Sequence, residues 1–269
     1  MSASTRRAPV VLSVAGTDPL VGAGVVADAL TIREHGAQPL AVVTATVAQD
    51  SRGVRSFAPV ALDVFAESLA CAIGDGRPDA VKIGMLATAE HAELLSSALP
   101  EGLPVVLDPV LHGGHDGAPL HRTGLLEALG VLAERALVTP NADELQRWLC
   151  RDRAARDVRE LAAGAGALHE RGAWAVLAKG GHIDPPGVDV LVADGATHEL
   201  PALGGWPDGD IHGTGCALSS AIAARLAFGD GVLEAVSTAR SWLHEKATSA
   251  DGVTRVGRGR AQFALGARR

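Results

Sequence analysis

Apolar residues along this chain gather in short runs, and between the runs lie segments with helical spacing. Residues 10–15 form a compact apolar run that stops at Gly16-Thr17-Asp18-Pro19, as a buried strand does on meeting a loop. Residues 23–34 carry helical spacing and stop at His35-Gly36. Residues 40–48 are rich in Val and Thr and read as one strand. Helices are predicted over 62–73, 88–99, 124–134 and 158–171, with Thr88 as the cap of the second. Strands are predicted over 80–83, 104–107, 136–139 and 173–178, and a hairpin over 188–193 and 197–201. Two helices, 216–228 and 231–247, complete the pattern. Strands that alternate with helices and are apolar throughout define an α/β chain: a mostly parallel central sheet, helices on both faces, three layers. Ligands of such sheets bind beyond the carboxyl ends of the strands. No linker interrupts the pattern, so residues 10–262 read as one domain between short tails, 1–9 and 263–269.

Composition removes several classes of function. The 269 residues are 47% hydrophobic, enough for a sizeable core. The net charge of −7 and the absence of tyrosine, with aromatics at 3%, disfavour nucleic acid. No apolar run is long enough for a membrane span. The three cysteines are scattered and form no CxxC pair, which fits reduced thiols in a cytoplasmic protein. Gly22-Ala23-Gly24 lacks the spacing of a dinucleotide-binding turn, since position 27 is Ala.

The chemistry sits at the predicted strand and helix ends. Asp210-Ile211-His212-Gly213-Thr214-Gly215-Cys216 opens an Ala-rich helix. Gly213, Thr214 and Gly215 can offer backbone N–H groups to a phosphate at that helix N-terminus. Cys216 lies in the first turn, where a thiol pKa is expected to fall and a thiolate could accept a proton. It also reads as a small packing residue. Lys179, at the end of a strand and before two glycines, suits phosphate charge or plain solvation. Asn141 and Glu144 can serve Mg²⁺ and can be the first and last members of a helix capping box, and the two readings are compatible. Asp108 is either a carboxylate near phosphates or a turn residue before proline. Residues 111–122, rich in Gly and His, read as a mobile flap. His212 reads as shaping the glycine loop.

Seven segments in register add to this reading: VLSVAGTDPLVGAGVVAD, AVVTATVAQDSRGV, KIGML, VLDPV, TPNADEL, KGGH and HGTGC. Together they resemble the hydroxymethylpyrimidine/phosphomethylpyrimidine kinases of thiamine biosynthesis, in the ribokinase-like superfamily, over roughly residues 10–260. The resemblance implies ATP and Mg²⁺ as cofactors, a small heteroaromatic alcohol as substrate, and a homodimer. It places Cys216 at the reacting centre and Lys179, Thr214 and Asn141 on the nucleotide. Glu144, Asp108 and Asn141 become metal ligands. Asp28, Gln49, Met85, Gly16 and Val110 become the acceptor pocket. The chain departs from the family twice: Leu20-Val21 replaces Ser-Gly, and Leu111-His112-Gly113-Gly114 replaces a Met-led segment. A pyridoxal or pyridoxine kinase and a non-catalytic pyrimidine-binding protein are the alternatives.

Overall fold

A computed structural model describes residues 7–113, 119–207, 209 and 211–266. In chain order the elements are β1 (Val10–Ala15), α1 (Gly24–Glu34), β2 (Gln38–Val43), β3 (Ala45–Asp50), β4 (Gly53–Pro59), α2 (Leu62–Gly74) and β5 (Ala80–Ile83). There follow α3 (Ala89–Ala98), β6 (Val105–Leu107), α4 (Leu125–Ala133), β7 (Ala136–Val138), α5 (Ala142–Trp148), α6 (Val158–Glu170) and β8 (Ala175–Ala178). The chain continues through β9 (Asp189–Ala193), β10 (Ala196–Leu200), β11 (Ile211–His212), α7 (Thr214–Ala227), α8 (Val232–Thr248), β12 (Val253–Arg255) and β13 (Ala261–Phe263).

Eight strands form the central sheet in the order β10-β9-β8-β7-β6-β5-β1-β2. Strands β2, β1, β5, β6, β7 and β8 are parallel, and the β9–β10 hairpin adds two antiparallel strands at one edge. Alternate side chains of each strand enter different layers. Val11, Ala80, Val106 and Leu177 pack with α7 and α8. Leu12, Val14, Val81, Val105 and Val176 pack with residues of α2, α3, α4 and α6. The expected three-layer α/β sandwich is what forms. The chain reverses direction at β1, with β2 on one side and β5 on the other. A crevice opens at such a switch point, and the loops after β1, β5, β6, β7 and β8 border it.

The single strand expected over 40–48 divides at Thr44. Its hydroxyl donates to the Met85 carbonyl at 2.6 Å and its N–H to the Ala15 carbonyl at 3.0 Å, ending β2 there. Strand β3 then leaves the sheet and pairs with β4, with an irregularity at Ala48/Gln49. No glycine or proline marks this break; contacts with the loops after β1 and β5 impose it. Helix α5 carries the expected capping box: Asn141 Oδ1 accepts from the Glu144 N–H at 2.9 Å, and Glu144 Oε2 accepts from the Asn141 N–H at 2.8 Å. Strands β11, β13 and β12 form a small sheet that the sequence pattern does not announce. Phe263, read as the first tail residue, is 2% exposed in that sheet. The outer parts of the two expected tails, 1–6 and 267–269, and flap residues 114–118 lie outside the described residues.

His35, which closes α1, packs edge-on against Trp242 of α8 with ring centroids 4.8 Å apart. Its Nε2 is buried with no hydrogen-bond partner among the described residues. Burial, helped by the Arg225 charge, pulls the imidazole down from 6.5 to about 4. Between those values the unfolded chain binds the proton and the folded chain does not. The His35 contribution is therefore complete above pH 6.5 and is lost as pH falls towards 4. With partial exposure allowed for, the loss is about 2 kcal/mol. Urea unfolding at pH 7.5 and 5.0 should show it, and His35→Asn should remove most of that pH dependence.

Candidate active site

One cleft of about 830 Å³ lies along the carboxyl ends of the strands. Gly16, Gln49, Met85, Val110, Asp108, Asn141, Glu144, Lys179, Gly213, Thr214, Gly215 and Cys216 all border it. Twelve of the thirteen expected residues thus converge from seven separate segments.

The floor at one end is the N-terminus of α7. Gly213 precedes the helix with φ of +86°, a left-handed conformation that suits glycine. A Cβ on Gly213 would lie 1.7 Å from the Gly22 carbonyl oxygen, so the loops after β1 and before α7 are in backbone contact. Asp18 ties the same two loops. Its carboxylate accepts N–H bonds from Leu20, Gly22 and Ala23 at 2.9, 3.1 and 2.9 Å, and His212 Nε2 lies 3.1 Å away. Burial pushes the Asp18 carboxyl up, but bonds from His212, Gln49 and the Leu20 N–H outweigh it and hold the group below its usual range. His212 thus shapes the loop, as its place in the motif suggests. Gln262 of β13 completes the junction by donating to the Leu20 carbonyl at 2.8 Å.

Val21 adopts φ of +62° in this loop. A β-branched residue pays roughly 1–2 kcal/mol there, and glycine does not. Val21→Gly should raise stability by about 0.5–1 kcal/mol after the greater freedom of the unfolded glycine is offset. A rise of about one to three degrees in Tm is the expected reading; a fall would mean the strain is smaller than the entropy.

Lys179 follows β8 and reaches the cleft wall with 15% of its side chain exposed. Its Nζ donates to Asp108 Oδ1 at 2.9 Å, and Thr139 Oγ1 donates to the same oxygen at 3.1 Å. Burial pulls the Lys179 ammonium down, but Asp108 and Glu144 outweigh it and hold it above its usual value. A Cβ on Gly215 would lie 3.1 Å from Lys179 Nζ and 3.3 Å from Asp108 Oδ2. The bare glycine therefore leaves a cradle between the lysine, the aspartate and the first turn of α7.

Burial pushes the Glu144 carboxyl up to about 7, with Lys179 opposing and Asp108 adding to the rise. Mg²⁺ in phosphoryl-transfer sites takes one or two carboxylates and fills its other positions with water and phosphate. Asp108 and Glu144 flank Lys179 and fit that role. Asn141 and Glu144 cap α5 through each other's N–H groups, and each keeps acceptor capacity on its side-chain oxygens.

The other end of the cleft is apolar. Ala45, Val47, Met85, Ala87 and Leu120 cluster there, with Val54, Phe57 and Val110 against them. Strands β3 and β4 form this wall and bring Gln49 to the cleft beside Asp18. Gly16 fits tightly under Met85, since a Cβ would lie 2.9 Å from its sulfur. Leu20 also borders the cleft. An apolar box with one amide matches a flat heteroaromatic ring.

Two expectations are corrected. Asp28 does not border the cleft. It is 0% exposed, and its two oxygens accept from Lys82 Nζ at 2.8 Å each, Ser13 Oγ at 2.6 Å and Ser220 Oγ at 2.9 Å. Residue spacing on α1 gave no warning, because the partners come from β1, β5 and α7. The Cys216 thiol is not lowered by its helix N-terminus. Burial pushes it up to about 11, against the opposing charge of Lys82. Lys82 itself carried no assigned role in the sequence; its position inside an apolar strand was the available signal.

A doubly wound sheet with a glycine cradle, a lysine and two carboxylates at one end of a cleft defines a ribokinase-like phosphotransferase. The phosphomethylpyrimidine kinase family model matches residues 18–262, and the chain belongs to that family. It is 38% identical to the hydroxymethylpyrimidine/phosphomethylpyrimidine kinase of Rhizobium meliloti, over 93% of this chain and 94% of that protein. The phosphomethylpyrimidine kinase of Clostridium difficile superposes with a TM-score of 0.75 at 29% identity, covering 88% of this chain and 98% of its own. Pyridoxal kinase of Bacillus subtilis, solved as an ADP complex, superposes with a TM-score of 0.82 at 28% identity, covering 96% and 97%.

Proposed function

We propose that this protein transfers the terminal phosphoryl group of MgATP to the hydroxymethyl group of 4-amino-5-hydroxymethyl-2-methylpyrimidine, and then to the resulting monophosphate. The observation that carries this reading is one continuous cleft lined both by an apolar cluster around Met85 and by the glycine turn that opens α7. Gln49 would pair with the aminopyrimidine edge while Met85 and Val110 cover its faces. Gly16 leaves room beneath Met85.

The hydroxyl oxygen attacks the terminal phosphorus, the bond to the leaving diphosphate breaks, and the hydroxyl proton departs. Backbone N–H groups of Gly213, Thr214 and Gly215 stabilise the charge that develops on the transferred group. Lys179 neutralises the phosphate oxygens from the opposite wall, with Thr214 beside them. Asp108 and Glu144 would hold Mg²⁺, which when bound would supply charge neutralisation on the phosphates. Cys216 accepts the proton in its thiolate form. Burial pushes the thiol up to about 11, so the thiolate is a small fraction at neutral pH and log kcat should climb with pH from about 6 towards 11. Cys216→Ala should lower kcat about 100-fold with both KM values little changed. Cys216→Asp should recover part of the loss and flatten the profile. Unchanged turnover in the Ser and Asp variants would remove Cys216 from the chemistry.

The deciding experiment is ADP release from MgATP with one acceptor at a time: the pyrimidine alcohol, its monophosphate, pyridoxal and pyridoxine. Turnover with both pyrimidines supports the full reading. Turnover with the alcohol alone confines the protein to the first step. Pyridoxal turnover alone overturns the acceptor and supports the second reading, which the likeness to pyridoxal kinase favours. The protein is further proposed to be a cytoplasmic homodimer, which light scattering and thiol titration of cell extracts test.

A further inference from the structure

The ion pair between Asp28 and Lys82 is fully buried, at 0% exposure for both side chains, and the chemistry described above does not use it. Such a pair costs desolvation, and an apolar pair of similar volume usually serves stability as well. Its placement links three elements that must agree for transfer. Lys82 stands on β5 opposite Ser13 of β1 in the strand register. Its Nζ lies against Gly84, where a Cβ would be 2.8 Å away. Met85, the next residue, covers the acceptor box. Asp28 receives the ammonium on both oxygens at 2.8 Å, and Ser220 Oγ donates to Oδ1 at 2.9 Å.

Ser220 is four residues after Cys216 on α7, so the two side chains share one face one turn apart. The hydroxyl therefore anchors the helix one turn below the cradle to a charge rooted in the acceptor floor. Asp28, Cys216 and Asp108 all act on the Lys82 charge, so the ammonium is within electrostatic reach of the first turn of α7. A second internal ion pair, Glu34 with Lys246 at 2.7 Å, joins α1 to α8 without either residue bordering the cleft and offers a comparison.

We propose that Ser220, Asp28 and Lys82 form a positioning element for phosphoryl transfer, holding the first turn of α7 in register with the acceptor floor at the end of β5. The proposal rests on the reading of α7 as the site of transfer. Small misplacements of aligned reactants cost large factors in rate while leaving binding almost untouched.

Steady-state kinetics on the full chain, with Tm measured beside them, test it. Ser220→Ala keeps both charges and removes the tether. It should lower kcat about tenfold with KM for MgATP and acceptor within about twofold. The double variant Asp28→Leu with Lys82→Met replaces the pair by apolar side chains, should remain folded, and should lose roughly 100-fold or more in kcat. Glu34→Gln should lower Tm and leave kcat unchanged. If Ser220→Ala and the folded double variant both keep kcat within about twofold of wild type, the element is structural only and the proposal is overturned. If the double variant does not fold, Ser220→Ala decides alone. A wild-type protein that uses pyridoxal and neither pyrimidine would sink the acceptor reading only, and the same variants would then be scored on pyridoxal.

Discussion

Lys179→Met should lower kcat/KM about 1,000-fold, a loss of about 4 kcal/mol in transition-state stabilisation. Among the described residues, Lys179 is the cation bonded to Asp108. It bonds Asp108 at 2.9 Å, influences Glu144, and stands over the bare Gly215 in the α7 cradle. Its loss leaves two carboxylates facing the phosphates. Nucleotide affinity should fall much less than turnover, because most of the cleft wall is unchanged. The fold should survive: Asp108 keeps the Thr139 hydroxyl at 3.1 Å. The stability change should be about 1–3 kcal/mol. Lys179→Arg should restore little, since a planar guanidinium does not fit a cradle shaped for a compact ammonium. ADP release with the best acceptor reads the effect, and a variant within about tenfold of wild type would place Lys179 outside the transfer step.

Gly213→Ala should be the most damaging change of a single methyl group. The new Cβ would lie 1.7 Å from the Gly22 carbonyl oxygen and 2.8 Å from its carbon, at a φ of +86°. Neither contact can be relieved by a side-chain rotation, so one of the two loops must move. Turnover should fall roughly 100-fold or more and Tm by about five degrees or more. Gly22→Ala is the comparison. Its Cβ would meet His212 Cδ2 at 2.7 Å and Gln262 Oε1 at 2.9 Å, both on side chains that can turn aside. That variant should lose less than about tenfold. Equal losses in the two would mean that crowding of His212 and Gln262, and not the backbone contact, sets the cradle.

Much of this site is legible in the order of residues along the chain. Gly213-Thr214-Gly215 at a helix start, Lys179 at a strand end and the Asn141/Glu144 spacing are local patterns with local causes. Each behaves as its spacing implies, and Asn141 and Glu144 do form the capping box. What fails is whatever depends on partners distant in sequence. Asp28 looks like a polar helix residue open to a ligand, yet its oxygens are filled from β1, β5 and α7. Cys216 has the helix position that lowers a thiol, yet burial outweighs it. The strand expected over 40–48 breaks at Thr44 because Met85, 41 residues later, holds its hydroxyl.

The sequence by itself determined the alternation of buried strands and amphipathic helices, the parallel sheet, and the family. These follow from hydrophobic period and from turn and cap residues, which act within a few positions. Only the tertiary structure decided which side chains face the cleft and which face one another beneath it. That choice depends on burial and on hydrogen bonds between segments far apart in the chain, 192 residues for Asp28 and Ser220 and 242 for Leu20 and Gln262. Desolvation is a property of the assembled interior, and no local pattern encodes it.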